Sequence, residues 1–254
     1  MKKGLPAMNN LSLLMTFSLV ILSLFFSLKE KLGLERDLVV GSIRAAVQLF
    51  AVGMVLKYVF AINNFFFTSL ILLLMVYNAS SVAGKRGKGI EKKFFIAFLS
   101  ILCALAVTLG ILVLCRVISY KPYEAIPVSG MIVGNSMVAI ALVFSELKAK
   151  FQSQREDVEA KLSLGASPKL ASLPLIQASI RTALLPTVDS MKTLGIVQLP
   201  GMMTGLILAG ANPEEAIKYQ LMVAFMLTGS VTISSVLAGF LTFKQFFNAY
   251  AQIK

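Results

Sequence analysis

The sequence predicts an all-α membrane protein: a polytopic helical bundle of about seven transmembrane helices, with a helix-turn-helix on its cytoplasmic side. Three observations carry that prediction. Apolar runs of about 18 or more residues recur along the chain, each able to cross roughly 30 Å of hydrocarbon. The composition is 57% hydrophobic, with a mean hydropathy of +0.82. The charges gather between the runs, and no short alternating segments of the transmembrane-strand kind appear. The whole of 1–254 reads as a single transmembrane domain.

The first run, 9–28, comes after a short basic start, MKKGLPAMNN. Such a start resembles a signal peptide, but Leu11 to Leu28 is too long for its apolar core and no small-residue cleavage pattern comes after it, so a retained helix is predicted. Further spans are predicted over 38–60, 65–83, 94–118, 126–146, 187–209 and 216–242. Their breaks are KEKLGLERD, AINN, GKRGKGIEKK, SYKPYEA, the long 147–186 segment and GANPEE. In GANPEE, Asn212 can cap a helix, Pro213 suits its first position, and Glu214 and Glu215 complement the helix dipole.

Lys and Arg set the orientation. Alternate loops carry 16 cations on one side and 6 on the other, with Arg44 and Lys192 inside spans. The cation-rich side is cytoplasmic by the positive-inside rule, so the N-terminus is outside and the C-terminus inside. Lys2 and Lys3 oppose that assignment, which leaves an eighth crossing or a shifted first helix open. The same distribution explains the net charge of +12 by topology rather than by nucleic-acid binding.

GKRGKGIEKK fails as a phosphate loop. Ala79 stands where the first glycine of G-x-x-x-x-G-K-[ST] belongs, and Arg86 replaces the hydroxyl residue. It reads as a basic anchor near anionic lipid. The chain contains no histidine, which removes the commonest catalytic base and metal ligand. Cys103 and Cys115 share one predicted span, about 18 Å apart along it, and cannot pair.

The 147–186 segment is the longest polar connection. Ser153-Gln-Arg-Glu156 has the form of a capping box and predicts a helix start. That helix stops at Gly165, a natural C′ residue, and Ser167-Pro168 starts a second short helix. Pro174 and Pro186 interrupt the remainder of the segment. The element, about 153–173, admits two readings: an amphipathic helix lying on the bilayer, or a docking element for a cytoplasmic partner.

Glu159-Ala160…Gly165-Ala166-Ser167, with ALLP at 183–186 beyond it, resembles the coupling loop of ABC-transporter permeases, which sits in a cleft on a separate ATPase. LGIVQLPGMMTGLILAGANPEEAIKYQLMVAFM, residues 194–226, resembles the FetB/YbbM family of permeases, and ASSVAGKRGKG fits it too. That family is assigned to iron export, and its plant relatives are linked to aluminium tolerance. The resemblance implies a permease homodimer in the inner (cytoplasmic) membrane, working with a FetA-like ATPase subunit that holds ATP-Mg. Glu159, Ala160, Gly165, Ala166 and Ser167 would then contact the ATPase. It implies no catalytic residue and no cofactor on this chain, and lipid rather than nucleic acid around it.

Polar groups inside spans are costly and turn toward the bundle interior or a cavity. Arg44 and Gln48 lie four apart on one helix face. Asn78 and Asn135 suit either interhelical hydrogen bonds or a pathway. Asp189 and Lys192 lie three apart, in what reads as the cytoplasmic half of the sixth span. An Arg44–Asp189 pair would tie the coupling loop to the bundle; the competing reading has Arg44 snorkelling and Asp189 pairing with Lys192. Pro200-Gly201 bends or breaks that span, as a gate or as a static kink. Met202 and Met203 adjoin the break, although thioethers favour softer metals than Fe(II). Gly130-x-x-x-Gly134 and Gly201-x-x-x-Gly205 permit close helix contact. The sequence assigns no metal ligands.

Other classes stay open. An ion-coupled secondary transporter needs a titratable pathway residue, and Asp189 is the carboxylate placed for it. An ABC permease for an organic anion or a nucleotide sugar is another reading. A membrane-embedded hydrolase has neither a histidine nor a second intramembrane carboxylate to work with.

Overall fold

The computed structural model describes residues 15–62, 64–248 and 250–254. The chain divides into two compact units, one of residues 1–63 with 208–210, the other of 64–207 with 211–254.

The first unit holds a helical hairpin, α1 (Ser18–Lys29) and α2 (Glu35–Ile62). Its turn places Lys31 and Gly33 at positive φ, and the Ser27 hydroxyl donates to Glu35 Oε1 at 2.8 Å. Most apolar side chains of both helices are exposed, as suits a surface solvated by lipid. The predicted span 9–28 lies partly outside the described residues.

The second unit is a bundle of α3 (Phe65–Arg86), α4 (Lys93–Leu114), α5 (Pro122–Ser153), α6 (Arg155–Ser163), α7 (Pro168–Thr193), α8 (Gly201–Leu208, all but its last residue) and α9 (Pro213–Thr242), closed by a 3₁₀ turn, Phe243–Phe246. Starts obey local chemistry. Asn64, Ser167 and Asn212 accept backbone N–H bonds as N-caps, and Pro122, Pro168 and Pro213 occupy first-turn positions. Among the described residues, five helices are long and apolar enough to cross a membrane: α2, α3, α4, α5 and α9 with its 3₁₀ extension.

The centre of the bundle is the packing of α5 and α9 on each other, with α3 and α4 against α5, α4 against α9, and α7 laid across both α5 and α9. Phe144, Ile132, Ile140, Leu147, Ile101 and Leu175 are fully buried there. Lipid tails are as apolar as these side chains, so burial alone does not drive helices together; close packing of small residues does. The seams are accordingly lined by Ser80, Ser100, Ser129, Ser136, Ser230, Ser234 and Ala238. Ser80 and Ser179 turn their hydroxyls back onto carbonyls four residues earlier. At the tightest seam a Cβ on Gly239 would stand 2.9 Å from the Ile180 side chain. A Cβ on Gly130, of the predicted close-contact motif, would stand 3.3 Å from the Met75 side chain of α3, whereas one on Gly134, Gly201 or Gly205 would meet open space.

Two sequence expectations need correction. The predicted sixth span, 187–209, is not one helix: it breaks over 194–200, and only Gly201–Leu208 is helical beyond the break. The continuous helix is instead α7, 26 residues from Pro168 to Thr193, with Pro174 and Pro186 inside it. Each proline forfeits one backbone bond, but an open backbone in this setting forfeits several, and the contacts with α5 and α9 hold the helix together. Ser153 is also no N-cap. Helix α5 runs through it, its hydroxyl turns back to Lys150 O at 3.4 Å, and the joint to α6 falls at Gln154 without a side-chain cap.

Candidate coupling element and transport site

Helix α6 is a nine-residue arm beyond the end of α5. Val158 is fully buried and anchors it, while Glu159, Ala160 and Ser163 are exposed. Arg155 Nε donates to Glu159 Oε1 at 2.7 Å, one turn on. The arm ends as predicted. Gly165 takes φ +89, its N–H bonds Leu162 O at 2.9 Å, and Ala166 N–H bonds Lys161 O at 3.0 Å. Ser167 then accepts from Leu170 N–H at 3.3 Å and starts α7. The tip is open, with Leu164 88% exposed. A knob with an apolar tip, an acidic side and a rigid helix on each flank can enter a cleft and transmit a push.

No sequence pattern announces what braces this arm. The segment after α9 folds back across it. Phe246 stacks on the buried Phe151 at 4.2 Å, and Phe247 meets the same ring edge-on. The backbone bridges Phe247 to Ile253, and the Arg155 guanidinium donates to the carbonyls of Ile253 and Lys254. Lys254 Nζ reaches Glu91 Oε1 at 2.6 Å. That ammonium holds the Glu91 carboxyl below its ordinary range, by hydrogen bond first and charge second. Beside α6 the tail leaves a cleft of about 610 Å³ lined by Arg155, Glu159, Leu162, Ala166, Tyr250 and Ile253.

The intramembrane polar residues separate into groups. Arg44 and Gln48 are exposed on α2. The side-chain amides of Asn78 and Asn135 donate to Leu74 O and Met131 O on their own helices, so neither bridges two helices through that donor. Asp189 accepts from Lys192 at 3.0 Å, the local pairing of the two readings. Asp189 lies 21 residues past Pro168, about 32 Å along α7 from the Gly165 turn, so it is far from that turn and not near it as the predicted sixth span places it. Pro200 and Gly201 mark the start of α8, with Met202 and Met203 half-buried beside them.

One pocket has no signature in the sequence. Thr187, Ser190 and Met191 of α7, Gln198 of the broken loop, and Gln220 and Thr228 of α9 line a cavity of about 200 Å³. Thr228 donates its hydroxyl to Ala224 O at 2.9 Å and touches Met191 Sδ at 3.5 Å, and Gln220 Oε1 is buried without a partner. Helix pairing brings these residues together, and no spacing along the chain reveals it. Among the described residues no three His, Cys, Asp or Glu side chains come together to hold a metal.

Long apolar helices, seams of small residues and an ion pair on a bundle helix define a multi-pass α-helical membrane protein. The chain belongs to UPF0014, described as an uncharacterised protein family, whose model matches residues 10–247. It is 46% identical over 96% of its length, and 94% of the relative's, to the Escherichia coli protein named "Probable iron export permease protein FetB". It is 38% identical to the rice UPF0014 membrane protein STAR2, over 93% of this chain and 83% of that one. It is 35% identical to the Arabidopsis thaliana protein ALUMINUM SENSITIVE 3, over 92% and 86%. No solved structure matches it.

Proposed function

We propose that this chain is the membrane permease of an ABC transporter that moves a metal ion, driven by a separate ATPase. The observation that carries the reading is the braced arm α6 with its Gly165 turn leading directly into α7. A push on the Leu164 tip passes into a 26-residue helix packed on α5 and α9, so α7 moves as a lever. The identity with a relative named an iron export permease supports a metal cargo. In this reading ATP-Mg is held by the partner, in keeping with the failed phosphate-loop pattern at Gly84-Lys85-Arg86. The working unit in this reading is two permease copies with two ATPase copies in the cytoplasmic membrane, N-terminus outside.

Co-purification tests it. The chain, expressed together with a FetA-like ATPase, should bring that ATPase down. Glu159→Lys and Gly165→Val should release it while the permease stays inserted. If both variants hold the ATPase as the parent does, the arm is only interfacial and the ABC reading fails.

A further inference from the structure

We propose that the open face of α7 around Asp189 and Lys192 lines a water-filled cargo pathway, in which Lys192 occupies Asp189 until a divalent metal cation displaces it. The second half of this inference rests on the metal-permease reading; the first does not.

The depth of the pair comes from α9. Between Lys218 and Lys244 that segment carries no Asp, Glu, Lys or Arg, a stretch of about 39 Å in helix. Thr228 lies ten residues past Lys218, about 15 Å from that end and 24 Å from the other. Its hydroxyl touches Met191 Sδ at 3.5 Å, so Asp189 and Lys192, within two residues of Met191, share that level. They sit deep inside the apolar slab.

At that level the side chains of Lys192 and Asp189 are 66% and 62% exposed. Charges facing hydrocarbon there are expensive, and a pair one helical turn apart keeps most of its surface unpaired. The same exposure is ordinary if the face is wet. The helix continues the pattern toward the coupling turn. Gln177, Arg181 and Lys192 share one groove of about 570 Å³ with the apolar Leu184, Leu185 and Val188, set against α9. Arg181 and Lys192 thus put two cations on one face, about 17 Å apart along α7, and a wall facing only lipid keeps the deeper one at a high cost.

The chemistry at its upper end is asymmetric. Asp189 is the carboxylate at this depth in the bundle; Glu124 lies in the first turn of α5, and Glu146 toward its end, held by Lys150 at 3.1 Å. With both side chains so exposed, the Asp189–Lys192 pair is open to exchange. A divalent cation brings two charges where the ammonium brings one, so it competes directly for the carboxylate oxygens. Return of Lys192 would then expel cargo.

Two arms test this. In a Cys103→Ala/Cys115→Ala background, Asp189→Cys and Lys192→Cys should react with a charged, membrane-impermeant thiol reagent. Val107→Cys, on the exposed apolar face of α4, should not. If Cys at 189 and 192 is as inert as at 107, the face is not wet and the proposal is overturned. The second arm measures ATP-driven Fe²⁺ movement against concentration in vesicles holding permease and ATPase. Lys192→Gln should lower KM about fivefold, and Asp189→Asn should raise it about tenfold. A structural ion pair would shift both the same way, which contradicts the exchange. If the parent complex moves no metal while 189 and 192 still label, the metal reading falls and the wet face stands.

Discussion

Lys254 Nζ and Glu91 Oε1 lie 2.6 Å apart, although 163 residues of sequence separate them. The contact joins the tail to the 87–92 turn, and through Arg155 the same tail grips the first turn of α6. It braces the arm. Lys254→Ala should therefore loosen the arm without unfolding the bundle. Hydrogen exchange at 155–163 should rise while that at 130–145 stays unchanged. Equal protection of α6 in parent and variant would show that Phe151–Phe246 stacking suffices.

The same pair fixes a pH dependence. The Glu91 carboxyl titrates below its ordinary value of 4.5 because Lys254 faces it. A group whose pKa is lowered by a contact stabilises that contact above the free pKa and loses it as pH falls through the lowered value. The tail should stay docked from neutral pH down to that ordinary value, then release below it. Both groups are exposed, so the effect should shrink with salt. Limited proteolysis at 247–254 across pH reads it; release already at about pH 6 would contradict the assignment.

Gly165 is constrained by conformation and not by space. A Cβ there would meet nothing within 4 Å, but φ is +89. Gly165→Val should cost about 1–2 kcal/mol locally, because a β-branched residue resists positive φ. Gly165→Asn should be the milder variant. ATPase binding should fall in the order Gly, Asn, Val; an equal loss for Asn and Val would point to a steric contact with the partner instead.

Gly239 is the opposite case, limited by space. Its Cβ would stand 2.9 Å from Ile180 in the α7–α9 seam. Gly239→Val should destabilise the bundle by about 1–3 kcal/mol through overpacking. Ile180→Ala, added to it, should restore part of the loss. Thermal unfolding in detergent measures both, and an additive double variant would mean that the two positions do not touch.

How legible each feature is in the sequence depends on how local its cause is. Gly165, Ser167 and Asn212-Pro213 act within three or four residues, and each is found where the pattern placed it. Helices α3, α4, α5 and α9 stand out because about twenty apolar residues need no partner to be recognised. Helix α7 is concealed. Pro174, Arg181 and Pro186 make its first part look like a polar connection, and only its packing on α5 and α9 makes it one continuous helix. Ser153-x-x-Glu156 misleads because the pattern ignores that α5 is still helical when it arrives there. The Gln220–Thr228–Met191 cavity and the Lys254–Glu91 brace come from long-range contacts, which leave no period to read.

The orientation has its own test. With the cation-rich side cytoplasmic, a single cysteine replacing Lys88 should be protected from impermeant reagent in intact cells, and one in the 209–212 turn should react. Labelling at 88 from outside would invert the topology and detach α6 from any cytoplasmic partner.

If force on α6 drives metal across this chain, Fe²⁺ movement in proteoliposomes must depend on both ATP and the Gly165 turn. The measurement compares vesicles containing the permease and its ATPase, with and without ATP, for the parent and Gly165→Val. ATP-dependent movement is expected for the parent and its loss in Gly165→Val, with the permease still folded. Movement of an organic anion or a UDP-sugar in place of iron would correct the cargo. Metal movement that is indifferent both to ATP and to Gly165→Val would contradict the coupling mechanism.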